Sequence, residues 1–228
     1  FNLLVVLGAC GAIRTFKVRL RWDFAASILA GVLLLAMIFW DQFLSRTEAF
    51  ILLGLFAAFM TLTVRDALIN RVQAEEVQET LPPVRCFLYI AGGLAAIVWG
   101  GDLVVDCASQ IALAFGLSQT LVGLTVVALG TSLPELVTSM VASRKGENGL
   151  ALGNVIGSNI FNIMMVLAVS AAVKPIPVNS FAVIDAVCLV VFSLVTLILC
   201  RSRERLSRLE GLIMLGMYAG YLVYICIR

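Results

Sequence analysis

Apolar residues along this chain run in blocks too long and too continuous for the one-sided helices of a water-soluble fold. In a window of about 19 residues, they fall at roughly 1–13, 24–40, 49–64, 86–113, 119–143, 149–173, 180–200 and 209–227. Seven of these blocks, with their flanks, reach the length that crosses a bilayer as an α-helix, and 1–13 reads as a partial span. The polar positions between them sort by sign. Counted over alternate loops, thirteen of the 16 Lys and Arg fall on one side, and only Arg46, Lys174 and Arg228 on the other. Basic residues collect in cytoplasmic loops. The loop 65–85 is therefore expected in the cytoplasm and the C-terminus outside.

Composition agrees with the blocks. Of 228 residues, 61% are hydrophobic and 13% charged, and the mean hydropathy of +1.05 lies outside the soluble range. A net charge of +2 excludes a basic nucleic-acid binder, and the absence of histidine removes the commonest transition-metal ligand. Any bound metal must be held by oxygen. The six cysteines sit in or beside apolar runs without metal-type spacing, and no disulfide or metal role is assigned to them. No signal peptide is expected, because the chain opens inside the apolar run Phe1–Ile13 without a start Met or basic flank.

The chain also echoes itself. FNLLVVLGACGAIRTFKV at 1–18 aligns with FNIMMVLAVSAAVKPIPV at 161–178; farther on, Asp23 matches Asp185, and the frame Arg46-x-Glu48-x5-Gly54 matches Arg208-x-Glu210-x5-Gly216. The offset changes from 160 to 162, consistent with a two-residue insertion. Five crossings separate equivalent points, so the second copy is inverted relative to the first, the arrangement of secondary transporters. Asp23 and Asp185 are expected to mark helices near the interface, and Asp102 and Asp106 to form a solvated helix end.

Two segments break the rule that a bilayer span is apolar. In GLTVVALGTSLPELVTSMVAS, 123–143, Pro134 lacks an N–H and clashes with the carbonyl four residues back. A bend is predicted there, releasing carbonyls near Ala128 and Gly130. Thr131 and Ser132 share a helix face with Glu135. A lone carboxylate near mid-span costs about 2.5–3.5 kcal/mol, and it could cap the second half-helix, hold a cation, or do both. In LGNVIGSNIFNI, 152–163, Asn154, Ser158 and Asn162 recur every four residues, with Asn159 beside them. These side chains read either as ligands or as interhelical glue. Hydroxyls, amides, carbonyls and one carboxylate suit a hard cation such as calcium or sodium.

Gly130-Thr131-Ser132-Leu133-Pro134-Glu135 followed by Gly153-Asn154-Val155-Ile156-Gly157-Ser158-Asn159-Ile160 resembles the second alpha-repeat of the sodium/calcium exchanger branch of the cation/calcium exchanger superfamily. The resemblance implies an all-α polytopic membrane helix bundle, an inverted-repeat antiporter fold, here truncated. It implies 1–64 as the remainder of the first repeat, 65–85 as a cytoplasmic linker, and 86–228 as the second repeat with its alpha-repeat at 119–173. It implies calcium and sodium as transported substrates, with Glu135, Thr131, Ser132 and the Ala128 carbonyl as ligands, joined by Ser158, Asn159, Asn162 and Asn2. Some potassium-dependent relatives carry Asp where Asn162 stands, which speaks against potassium coupling. The absence of histidine favours sodium over protons as counter-ion.

The family pairs Glu135 with a second glutamate from the first repeat that this chain does not show. The polypeptide alone is accordingly expected not to exchange ions, its partners being missing N-terminal helices or a second copy in a homodimer, together with membrane lipid. Expected alternatives are a proton-coupled cation antiporter and a non-transporting membrane subunit. With no nucleophile–base pair and no cofactor motif, neither an enzyme nor a cofactor is expected. A multi-pass protein of a prokaryotic inner or plasma membrane is the expected setting.

Overall fold

The computed structural model describes residues 1–10, 13–14, 19–70, 82–202 and 205–227. A backbone in lipid must satisfy its own polar groups, and helices do so within one segment. The apolar blocks accordingly appear as α2 (Arg19–Asp41), α3 (Arg46–Asn70), α4 (Pro83–Ala114), α8 (Asn148–Phe161), α10 (Ser180–Ser202) and α11 (Arg208–Ile227). Shorter helices are α1 (Leu7–Cys10), α5 (Gln119–Val122), α6 (Ala128–Thr131), α7 (Leu133–Arg144) and α9 (Ala168–Val173). Among the described residues six helices are long and apolar enough to cross a membrane, or seven with the bent pair Thr125–Thr131 and Leu133–Arg144 counted as one span. The multi-pass helical architecture matches the hydropathy blocks.

Local chemistry sets the ends. Pro83 opens α4 at a position where its missing N–H is no loss. Gly116 and Gly146, with φ of +83° and +82°, close α4 and α7. In each case the next residue's N–H reaches back five residues, Leu117 to Ala112 and Glu147 to Ala142, a turn that favours glycine.

Several expectations are corrected. The linker placed at 65–85 is shorter, because α3 runs on to Asn70 and α4 begins at Pro83; residues 71–81 lie outside the described residues. Asp102 and Asp106 do not end a helix: α4 continues to Ala114, about 48 Å at 1.5 Å per residue, with both carboxyls exposed on its side. The partial span holds a π-helical turn, Asn2–Val6, leading into α1. Two further π-helical turns interrupt spans at Gly123–Val127 and Asn162–Leu167. Among the described residues four two-residue strands also occur: β1 (Ile13–Arg14), β2 (Phe43–Leu44), β3 (Ile176–Pro177) and β4 (Arg205–Leu206).

The contacts divide the chain into two units, which are not the two sequence copies. In one, α11 packs on the Asn2–Val6 turn and α1, α7 packs on both of these, and α4 lies against α6, α7 and the Gly123–Val127 turn. There β1 pairs antiparallel with β4, Ile13 opposite Leu206. In the other unit α2 packs on α10, α3 packs on α9 and on the Asn162–Leu167 turn, and β2 pairs antiparallel with β3, Leu44 opposite Ile176. The two copies thus exchange equivalent parts: the first helix of each copy packs on the last helix of the other, and each short strand pairs across copies. This reciprocity is the structural form of the repeat at an offset of about 162.

Helix-to-helix approach in the first unit is close enough to require glycine. A Cβ on Gly211 would lie 2.8 Å from the Gly8 carbonyl oxygen, and one on Gly130 would lie 1.7 Å from Val105 Cγ2.

Candidate functional site

The break predicted at Pro134 is present, a bend of 49° between Thr125–Thr131 and Leu133–Arg144. Pro134 occupies the first turn of α7, where the lack of an N–H is tolerated. Ser132 is the hinge residue, at φ −101° and ψ 4°, and its N–H donates to the Leu129 carbonyl at 3.2 Å. That choice leaves the Ala128 carbonyl without this main-chain donor, and the Thr131 hydroxyl donates to it at 3.1 Å. Thr131 and Ala128 are exposed; Ser132 and Glu135 are partly buried.

Glu135 stands at the third position of α7, three residues after Ser132. The pattern Ser-x-x-Glu at a helix start is that of a capping box, and this chain contains it three times. At α3, Glu48 Oε2 accepts from the Ser45 N–H at 2.8 Å, and the Glu48 N–H donates to Ser45 Oγ at 3.3 Å. At α11, Glu210 Oε2 accepts from the Ser207 N–H at 2.6 Å, and the Glu210 N–H donates to Ser207 Oγ at 3.3 Å. At α7 no such box forms: Ser132 makes no side-chain cap, and its N–H is already spent on Leu129. Glu135 Oε2 is left buried with no hydrogen-bond partner among the described residues. The capping reading of Glu135 therefore fails at the point where the same letters succeed elsewhere. The two boxes also explain the glutamate of the repeated Arg-x-Glu-x5-Gly frame.

The main chain around Glu135 is pinned. Its carbonyl accepts from Thr138 Oγ1 at 3.2 Å and from Asn154 Nδ2 at 3.2 Å. The Asn154 amide also reaches Thr138 Oγ1 and Ser139 Oγ, each at 2.9 Å, with Ser139 fully buried. Two amide hydrogens shared over three acceptors bind α8 to α7, so Asn154 acts here as glue that positions Glu135. Asn2 is 5% exposed and lies in the π-helical turn that packs on α7. Glu135, Thr131, Ser132, Ala128 and Asn2 thus belong to one unit.

Ser158, Asn159 and Asn162 belong to the other unit. Ser158 and Asn159 are partly buried and Asn162, the first residue of a π-helical turn, is exposed. Asn159 Nδ2 is buried without a hydrogen-bond partner among the described residues. Each of the three π-helical turns among the described residues contains or adjoins a sequence candidate: Asn2, Ala128 and Asn162. π-Helical turns gather at functional sites, and no residue type announces them in sequence.

Ser109 was not singled out from the sequence. Its buried Oγ has no partner among the described residues, and it sits four residues after Val105, the side chain that faces Gly130. That helical spacing is the signal that could have found it.

Chemically, the region around the α6–α7 break offers a buried carboxylate oxygen without a donor, two hydroxyls and carbonyls outside the regular ladder. Among the described residues no three Asp, Glu or Cys side chains converge. Such a set fits a hard cation that takes neutral oxygens and one negative charge.

The family model described as sodium/calcium exchanger protein matches residues 86–227. Inner membrane protein YrbG of Escherichia coli (strain K12) is 32% identical over 239 residues, covering 98% of this chain and 72% of that protein. Sodium/calcium exchanger MaX1 of Methanosarcina acetivorans is 38% identical over 130 residues, 57% of this chain and 37% of that protein. A solved structure of the sodium-calcium exchanger NCX_Mj soaked with sodium and strontium superposes with a TM-score of 0.80 at 29% identity, covering 97% of this chain and 72% of that one.

Proposed function

The chain belongs to the sodium/calcium exchanger family, a family of membrane transporters, and on that premise we propose that it binds calcium and sodium in competition at the α6–α7 break, with Glu135 as the charged ligand. The observation that carries this reading is the buried Glu135 Oε2 without a donor, beside a Ser132 that declines to cap. Uncompensated, such an oxygen is costly in lipid; a cation removes the cost.

Thr131, Ser132 and the Ala128 carbonyl supply neutral oxygens on the same unit, and Asn2 an amide from the turn packed on α7. Ser158, Asn159 and Asn162 are the ligand candidates of the other unit. Antiport follows if one carboxylate can serve either a calcium or sodium ions but not both at once. Competition then couples the two fluxes, without a covalent step.

One carboxylate neutralises half of a calcium charge. The polypeptide by itself is therefore proposed to bind calcium weakly and not to complete exchange. The proposed setting is a prokaryotic inner membrane, with the 65–85 segment cytoplasmic and the C-terminus outside.

The test is Glu135→Gln. Calorimetric calcium affinity is expected to fall about 100-fold, near 3 kcal/mol, while the melting temperature in chelator stays level or rises as the lone charge disappears. Unchanged calcium affinity would refute the ligand role. Calcium uptake into liposomes driven by a sodium gradient with this chain alone would refute the weak, incomplete site, and uptake driven only by a pH gradient would refute sodium coupling.

A further inference from the structure

In the unit built on α2 and α10, a cleft of ≈390 Å³ lies between these two helices beneath the β2–β3 pair. Its walls include Leu34 and Ile38 of α2, Ala182, Ala186 and Leu189 of α10, and Leu44 of β2. The volume sits at the lower end of ligand pockets, about 300–1,000 Å³. The lining is apolar apart from Asn179, at the β3 end, and Asp185.

The internal repeat supplies a control for this cavity. At the offset that aligns Asp23 with Asp185, Ala186 corresponds to Phe24, and Phe24 is 1% exposed in the packed core of the same unit. One copy of the helix carries a buried aromatic ring at this position; the other carries a methyl group that lines an open groove. An apolar groove of this volume left open along a membrane helix calls for an occupant.

The occupant is constrained by chemistry. An apolar trough along a membrane helix receives hydrocarbon. Asp185 lies five residues, about 7.5 Å, inside the start of α10, where a carboxylate attracts a positive group and repels an anionic one. Arg46, whose Nη2 donates to the Val173 carbonyl at 3.1 Å near β3, stands at the same end as a partner for a phosphate. We propose that this cleft is a binding site for a phospholipid with an amine-bearing headgroup, phosphatidylethanolamine. One acyl chain lies between α2 and α10 and the headgroup ammonium meets Asp185.

Phosphatidylglycerol shares the phosphate and the chains but lacks the amine, so the comparison isolates Asp185. Native mass spectrometry of the detergent-purified full chain, titrated with each lipid at matched chains, is expected to show a single phosphatidylethanolamine adduct formed at least tenfold more readily than the phosphatidylglycerol adduct. Ala186→Phe, which installs the residue of the equivalent position, is expected to abolish the adduct. Ala182→Leu, which copies Leu20, is a smaller filling change for use if the phenylalanine variant does not fold, and should weaken the adduct at least tenfold. Asp185→Asn should keep an adduct but lose the preference between lipids. Equal adducts of the two lipids on the parent chain, a preference for the anionic lipid, or full retention of the adduct by a folded filling variant would each overturn the proposal.

Discussion

Replacing Gly130 by Ala probes the contact that brings α4 against the α6–α7 break. A Cβ at Gly130 would meet Val105 Cγ2 at 1.7 Å and Val105 Cβ at 3.1 Å. Rotating Val105 about χ1 relieves the first distance only in the one setting that turns the Cβ hydrogen inward, and β-branched side chains strongly prefer a single helical rotamer. The second distance does not depend on χ1 at all. The helices must therefore part, and overpacking of this kind costs about 1–3 kcal/mol. Val105→Ala removes the methyl at 1.7 Å and leaves the milder Cβ contact at 3.1 Å, which needs only a few tenths of an ångström of give, at a packing loss on the order of 1 kcal/mol. Because the two positions touch, the double variant should recover most of the Gly130→Ala loss, with a favourable coupling of about 1–2 kcal/mol. Reversible unfolding in mixed micelles of the four proteins measures that coupling. Additivity to within about 0.5 kcal/mol would show that α4 does not press on Gly130, and the packing described for this unit would be wrong.

The three Ser-x-x-Glu sequences should separate in a thermal-unfolding series: Ser45→Ala and Ser207→Ala each lose about 0.5–2 kcal/mol of cap energy, whereas Ser132→Ala loses less than about 0.5 kcal/mol because it caps nothing. Gly211→Ala should cost about 1–3 kcal/mol in the same assay. No side-chain truncation should rescue it, since the three atoms nearest the new Cβ, the first at 2.8 Å, all belong to the Gly8 main chain.

What the sequence reveals about this fold depends on how many residues share each signal. A span is written across some twenty apolar positions, so α2, α3, α4, α10 and α11 are legible despite individual errors at their ends. Pro134 acts by covalent constraint, and the bend it imposes is legible from one residue. A π-helical turn adds one residue to a helix and uses no special side chain, so Asn2–Val6 and Asn162–Leu167 leave no mark beyond their likeness to each other. The pairing of β1 with β4 and of β2 with β3 joins positions more than 130 residues apart. The repeat shows that equivalent parts exist, but not that each copy packs on the other. For the same reason, the groove lined by Ala186 is not legible from the sequence, although the repeat places the buried Phe24 at the equivalent position.

The Ser-x-x-Glu triplet shows most directly why letters alone do not assign a site. Ser45 follows β2 and Ser207 follows β4, so at both positions the chain enters its helix from an extended segment with the serine N–H unspent. The glutamate can then fold back and accept it. Ser132 instead follows α6, and a helix arriving from the N-terminal side has already committed that N–H to the Leu129 carbonyl. The glutamate three residues on has the same neighbour in sequence and no donor in space. A proline break in the middle of a span thus does two things at once: it opens carbonyls and hydroxyls at membrane depth, and it denies the following acid the cap it would otherwise satisfy. Both effects act on Glu135, and neither acts on Glu48 or Glu210. Of the three matching glutamates, only Glu135 keeps a buried oxygen without a donor, the condition under which a cation becomes its natural partner.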